Sequence, residues 1–300
     1  MTISVCTLAH GRETHLANLI AGLSRSQRRP DELVIAVMQP LRYDLPEAPF
    51  PIRQIMMGTS DIPLAAARNA AAGAARGEFL IFLDVDCIPA PSLVGDYARA
   101  GNEDEGVIMG EVAYLPKGAT DGGIDFPAFD RLGVTHSERP GPPPSGLRAC
   151  EDYRCFWSLN FALPARDFAT IGGFDERYDG YGGEDTDFGR MVVEAGLPLW
   201  WVKGAKAYHQ YHPHHMPPVH HLDSVLANAM AFAEKWGEPT MQHWLRAFVL
   251  MGLIERTEHG WRKLREAEET DLALTRQQEH QPYASSAVVL DWLEANAEAA

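Results

Sequence analysis

The chain has 300 residues, 46% of them hydrophobic, enough to bury a substantial core in one large domain or one domain with an appendage. Its 26 Lys and Arg face 41 Asp and Glu, and the formal net charge of −15 excludes a protein whose main task is gripping nucleic acid, which calls for a basic face. Any phosphate site is therefore local, built with a metal or a few arginines. The cysteines Cys6, Cys87, Cys150 and Cys155 form no CxxC pair and no zinc-knuckle or secreted-disulfide spacing, so they read as reduced thiols of a cytoplasmic protein. No signal peptide is expected, and no apolar run approaches the roughly 20 residues that span a bilayer.

In chain order, Ile3 to Leu8 is a short apolar run, and Leu16, Leu19, Ile20 and Leu23 then recur at helical spacing. Strand, loop and helix are expected there. Glu32 to Met38 and Ile52 to Met57 predict two further strands, and Pro63 opens an alanine-rich helix that Gly77 can end. The run Phe79-Leu80-Ile81-Phe82-Leu83 enters Asp84-Val85-Asp86. Continuous apolar strands alternating with helices imply an α/β fold with a mostly parallel sheet, whose ligands bind beyond the carboxyl ends of its strands. Lys117 to Arg148 is rich in Gly, Pro and charge and reads as a long mobile loop. A helix is expected from Pro164 to Ile171, a turn at Gly172-Gly173 and a second helix from near Glu184. Beyond the histidine-rich stretch His209 to His221, Leu226, Met230, Phe232 and Trp236 suggest a helical C-terminal extension.

Two features carry chemistry. Asp84 and Asp86, one residue apart at the end of an apolar strand, can both reach one hard divalent cation, which accepts oxygen ligands and neutralises a diphosphate. Alone, such a pair is more often a strand-ending turn with solvated acids. The second feature runs from Gly172-Gly173-Phe174-Asp175-Glu176 to Tyr181-Gly182-Gly183-Glu184-Asp185-Thr186-Asp187. Glycines let backbone approach a ligand, and an acid at a helix N-terminus stays ionised, as a general base for a sugar hydroxyl must. An acidic helix start after a glycine turn is also a common structural arrangement. Asp187, two positions further into the helix, should point elsewhere.

Together, Ala66-Ala67-Arg68-Asn69, Gly77 to Asp86, Asn160-Phe161-Ala162, Gly172 to Glu176 and Gly182-Gly183-Glu184-Asp185 resemble family-2 glycosyltransferases of the GT-A fold. The later half is similar to the galactosyltransferase C-terminal region and to bacterial chondroitin-polymerase-type domains. Motif order and spacing match over about residues 1 to 212. The resemblance implies a catalytic domain over residues 1–215, a helical extension over 216–300, and Mn²⁺ or Mg²⁺ as cofactor. Asp84 would contact the ribose and metal side of the nucleotide, and Asp86 would ligate the metal. His209 would be the third ligand, with His212 as alternate. Asp185 matches the base of inverting members, Glu184 would bind acceptor or donor sugar, and Tyr181 with Gly183 would shape the sugar pocket. Thr7, Ala9, His10 and Arg12 match the nucleotide-binding loop, and Val85 lies within the Asp pair. Arg68 would approach the diphosphate or brace that pair.

The chain departs from many relatives after the second strand, where Val37-Met38-Gln39-Pro40 replaces an acidic pair that helps read the base, leaving Gln39 as the candidate uracil contact. His214, His215, His220 and His221 could join a zinc site, though an exposed histidine-rich loop is the commoner arrangement. Among the tryptophans, Trp157 is the candidate for stacking on a sugar, because it lies just before Asn160, while Trp200 and Trp201 read as packing. The implied activity is metal-dependent, inverting hexosyl or N-acetylhexosaminyl transfer from a nucleotide-sugar, in the first instance a UDP-sugar. The acceptor would be a glycan, a lipid-linked molecule or a small molecule; a lipid-linked one would make the protein peripheral to the membrane. A retaining transferase, a nucleotidyltransferase on a related fold and a non-catalytic sugar-binding module are the competing readings.

Overall fold

A computed structural model describes residues 1–58, 62–103, 105–258 and 260–298. The chain divides into two compact units, residues 1–176 with 185–211, and residues 177–184 with 212–300.

The first unit contains β1 (Ile3–Ala9), α1 (Glu13–Ser24), β2 (Glu32–Val37), β3 (Ile52–Met56), α2 (Leu64–Ala74), β4 (Phe79–Leu83), β5 (Cys87–Pro89), α3 (Leu93–Glu103), β6 (Val107–Met109) and β7 (Val112–Tyr114). It continues with α4 (Phe126–Leu132), β8 (Leu147–Ala149), β9 (Asn160–Pro164), α5 (Ala165–Ile171), α6 (Glu184–Glu194, the first unit from Asp185 on), β10 (Leu199–Val202) and β11 (Ala207–His209). Among the described residues, eight strands form one sheet in the order β3-β2-β1-β4-β9-β6-β10-β8. The pairs β1–β2, β1–β4, β2–β3 and β6–β10 are parallel, and β9 runs antiparallel to both β4 and β6.

The apolar runs are continuous because both sheet faces are covered. Ile3, Val5 and Ala9 of β1 and Phe79, Ile81 and Leu83 of β4 enter one core with Leu16, Leu19, Ile20 and Leu23 of α1 and Leu93 and Val94 of α3. Cys6, Leu8, Leu80 and Phe82 point the other way, into a core with Ala65, Ala67 and Ala71 of α2 and Phe188 and Val192 of α6. This is the two-residue alternation of a strand serving two helical layers. Strand order reverses at β1, so the carboxyl ends of β1 and β4 open at a switch point, where such sheets bind ligands.

A second sheet, β5-β11-β7, was not expected from the sequence. His209 pairs with Cys87 on one side and Tyr114 on the other. The expected loop of 117–148 is also more structured than its composition suggests. Asp125 caps α4 by accepting from the Ala128 amide at 3.1 Å, Phe129 is fully buried, and Tyr114 bridges Val134.

The second unit holds α7 (Leu222–Trp236), α8 (Gln242–Leu250), the hairpin β12 (Ile254–Thr257) and β13 (Gly260–Lys263), α9 (Glu269–Thr275) and α10 (Ser286–Glu298). Val225, Leu226 and Ala229 of α7 pack on Leu245 and Phe248 of α8. The 177–184 loop is tied to α7 by the Asn228 amide, which donates to the carbonyls of Gly182 (2.8 Å) and Asp179 (3.0 Å).

Candidate active site

The segment after β1 is a braced loop. Ala9 is fully buried at the strand end, and the Thr7 hydroxyl, 1% exposed, has no hydrogen-bond partner. His10 Nδ1 lies 2.6 Å from the Met38 carbonyl, and the Gly11 amide donates to Gln39 Oε1 at 2.9 Å. Gln39 also donates to the Leu41 carbonyl at 2.9 Å, so both ends of this side chain hold backbone. Arg12 takes a left-handed conformation, φ 55°, and its guanidinium reaches Asp86 Oδ2 at 2.5 Å.

Asp84 and Asp86 stand just beyond β4. Arg68 of α2, 3% exposed, donates to Asp84 Oδ1 at 3.2 Å. Burial pushes the Asp84 carboxyl up to about 6; Arg68 opposes this, and the like charges of Asp86 and Asp185 add to it. The Val85 side chain is in the core, leaving only its backbone for a ligand. His209 Nε2 is 3.5 Å from Asp86 Oδ1, and the Gln210 amide donates to the Asp86 carbonyl at 2.7 Å. The pairing of β11 with β5 thus brings together two residues 123 positions apart.

Asp185 reaches the same neighbourhood through one short segment. The Ser158 amide donates to Asp185 Oδ2 at 3.1 Å, and the next residue, Leu159, accepts from the Asp84 amide at 3.0 Å. Asp185 Oδ1 is buried with no hydrogen-bond partner. The glycine turn before it is held by Asn69, which accepts from the Phe174 amide and donates to the Phe174 carbonyl, both at 2.8 Å. At Gly173, φ 75°, a Cβ would stand 2.6 Å from Asn69 Oδ1, so only glycine fits. Asp187, two positions further into α6, is fully buried.

Tyr181, Gly183 and Glu184 belong to the second unit. There Tyr181 stacks on His221 at 5.0 Å and on Trp244 at 5.9 Å, and Glu184 is 8% exposed. Of the remaining histidines, His214, His215 and His221 are half-buried and His220 is exposed; His215 packs on His220 at 5.0 Å, and His220 on His221 at 4.1 Å.

Three residues of the first unit escaped the sequence reading. Tyr114 packs on His209 at 4.7 Å, His136 on Tyr114 at 5.6 Å and Trp157 edge-on to His136 at 5.0 Å. Arg139 lies over Trp157 and Trp201. No motif marks Tyr114, His136 or Arg139, since each earns its place through contacts distant in sequence. Among the described residues, no helix is long and apolar enough to cross a membrane.

Residues 44–122 match the family described as glycosyl transferase family 2, and residues 147–215 match the N-terminal domain of galactosyltransferase. A validoxylamine A glucosyltransferase from Streptomyces hygroscopicus subsp. limoneus is 25% identical over 265 residues, covering 78% of this chain and 56% of that protein. A chondroitin synthase from Escherichia coli is 27% identical over 172 residues, 50% of this chain and 25% of that protein. The chain therefore spans about half the length, or less, of the curated relatives it matches. Among solved structures, GalNAc-T7 with UDP, GalNAc and Mn²⁺ superposes with a TM-score of 0.58 at 16% identity, over 83% of this chain and 51% of that one. S. aureus TarS 1-349 in complex with UDP-GlcNAc gives a TM-score of 0.51 at 14% identity, over 71% and 59%. These likenesses establish the GT-A fold, and the sequence matches bear out the resemblance to family 2 with a galactosyltransferase-like later segment.

Proposed function

We propose that this chain, a family-2 glycosyltransferase by its matched segments and GT-A in fold, transfers a sugar from a UDP-sugar to an acceptor hydroxyl with inversion and with the help of a divalent cation. The observation that carries the reading is the gathering of Asp84, Asp86, His209 and Asp185 at the carboxyl end of the sheet, with one Asp185 oxygen left without a partner. The relatives named above as glucosyltransferase and chondroitin synthase, and the neighbours crystallised with UDP or UDP-GlcNAc, support the same class of donor.

The donor set suits Mn²⁺ or Mg²⁺. It offers carboxylate oxygens and one imidazole, and burial pushes the Cys87 thiol well above its ordinary range, which keeps it protonated and out of the ligand set. Asp86 and His209 would hold the ion, with Asp84 beside them. A bound divalent cation supplies an electrophile that neutralises the diphosphate leaving group. Arg68 keeps Asp84 ionisable within a buried cluster. Thr7, Arg12 and the Gln39-braced loop receive the nucleotide. Asp185, anchored through one oxygen by the Ser158 amide, accepts the acceptor hydroxyl's proton on the other as the new glycosidic bond forms. Residues 1–215 carry this chemistry, and 216–300 form the extension.

Calorimetry of UDP binding tests the reading, because a nucleotide diphosphate and three carboxylates repel each other without a cation. UDP affinity should fall by at least about tenfold on adding chelator or on Asp86→Ala, the lower bound seen even for loss of a metal ligand's outer partner. Equal affinity with and without Mn²⁺ would overturn the metal assignment.

A further inference from the structure

Arg139 lies between α4 and β8, 9% exposed, and its Nη1 and Nη2 have no hydrogen-bond partner. A guanidinium stays protonated and presents five N–H donors, so burying it without partners is strongly unfavourable unless a ligand supplies them. The rings of Trp157 and Trp201 lie 5.0 and 4.8 Å from its central carbon. Those contacts offset part of the charge but occupy none of the donors.

Arg139 also lines a cleft of about 90 Å³ whose other charged residues are Glu111, Asp130 and Lys206. Each of those three is already engaged. Lys206 Nζ is 2.9 Å from Asp130 Oδ1, which also accepts from the Tyr208 hydroxyl at 2.8 Å, and Glu111 Oε1 accepts from the Gly204 amide at 2.8 Å. Among the charged residues lining the described cleft, Arg139 is thus the one whose terminal nitrogens have no hydrogen-bond partner. The volume admits a phosphate-sized group and falls well short of the roughly 300 Å³ at which pockets for larger ligands begin. A planar fork of donors fits an oxyanion two bonds at a time. The packed rings Trp157, His136, Tyr114 and His209 run without a break from the guanidinium to the proposed metal ligand. The Asp185 carboxylate also acts electrostatically on the guanidinium, which sets Arg139 near the proposed donor site.

We propose that Arg139 is an oxyanion-binding residue that grips the diphosphate of the nucleotide donor. This rests on the donor reading above, so the test uses inorganic pyrophosphate, which carries no base, beside UDP and uridine, each titrated in Mn²⁺ by calorimetry. Arg139→Met should weaken pyrophosphate and UDP about ten- to a hundredfold, the range for a hydrogen-bonded charge, and leave uridine unchanged. Its melting temperature should stay or rise, because an apolar side chain replaces a buried guanidinium whose terminal nitrogens have no hydrogen-bond partner. Arg139→Lys keeps the charge without the fork and should recover only part of the affinity at wild-type stability. Pyrophosphate affinity unchanged in both variants, uridine weakened as much as UDP, or no pyrophosphate binding to the wild type would each overturn the proposal. Arg139-dependent pyrophosphate binding without UDP binding would leave it standing and remove the uridine donor instead.

Discussion

Asp185 shows how one residue combines anchoring with reactivity. Its Oδ2 is fixed by the Ser158 amide, while Oδ1 is buried and unpartnered, so the carboxylate is oriented and still has a lone pair to accept a proton. Asp185→Asn keeps the size and the Ser158 contact but removes the basic oxygen. Sugar transfer should fall roughly 10²–10⁴-fold, the usual contribution of a general base, while UDP affinity in Mn²⁺ stays near wild type. Loss of UDP binding together with activity would make Asp185 a metal or structural residue. Asp187 is not a neutral comparison, because it is fully buried and its variant would disturb the core. Asp179→Asn is the better control: this exposed carboxylate accepts only the neighbouring Gly180 amide, at 2.9 Å, among the contacts described.

At the scale of elements, the glycine turn after α5 depends on a helix far away in sequence. Asn69 of α2 threads the turn with two hydrogen bonds to Phe174, and Gly173 leaves room for it. Gly173→Ala adds a left-handed alanine and drives its Cβ against the Asn69 side chain, a strain of roughly 1–3 kcal/mol before repacking. Gly172, φ 90°, has nothing within 4 Å of its Cβ position. Gly172→Ala therefore suffers the backbone strain alone. Thermal unfolding should rank Gly173→Ala below Gly172→Ala and both below wild type; the reverse order of the two variants would show that the Asn69 contact is dispensable. The Gly-Gly pair was legible as a turn from its residues, but the reason the second glycine is obligatory lies 104 positions upstream.

For the whole molecule, the excess of acid is a global property on which local cations are superimposed. With a net charge of −15, counterion release has few cationic contacts to work with. Binding of an unrelated DNA duplex at physiological salt, followed by fluorescence anisotropy, should be undetectable; tight, salt-sensitive binding would contradict this reading. The positive charges that matter, Arg12, Arg68 and Arg139, are instead set against particular carboxylates and rings within the first unit.

The sequence by itself determined the layered sheet, because uninterrupted apolar runs such as Phe79 to Leu83 are stable only with both faces covered, and alternate residues of β1 and β4 do feed two cores. It also determined which carboxylates stand at strand and helix ends, since Asp84, Asp86 and Asp185 lie at abrupt changes of hydrophobic pattern. Only the tertiary structure decided what those carboxylates meet. His209 reaches Asp86 because β11 pairs with β5 and β7, a register that three short strands cannot announce through local propensity. Arg139 becomes a buried, unpartnered cation because two tryptophans 18 and 62 residues downstream close around it, and the segment's Gly- and Pro-rich composition gave no sign of that burial. Backbone pattern is written in neighbours along the chain, whereas the environment of a charge is set by whatever packing brings against it.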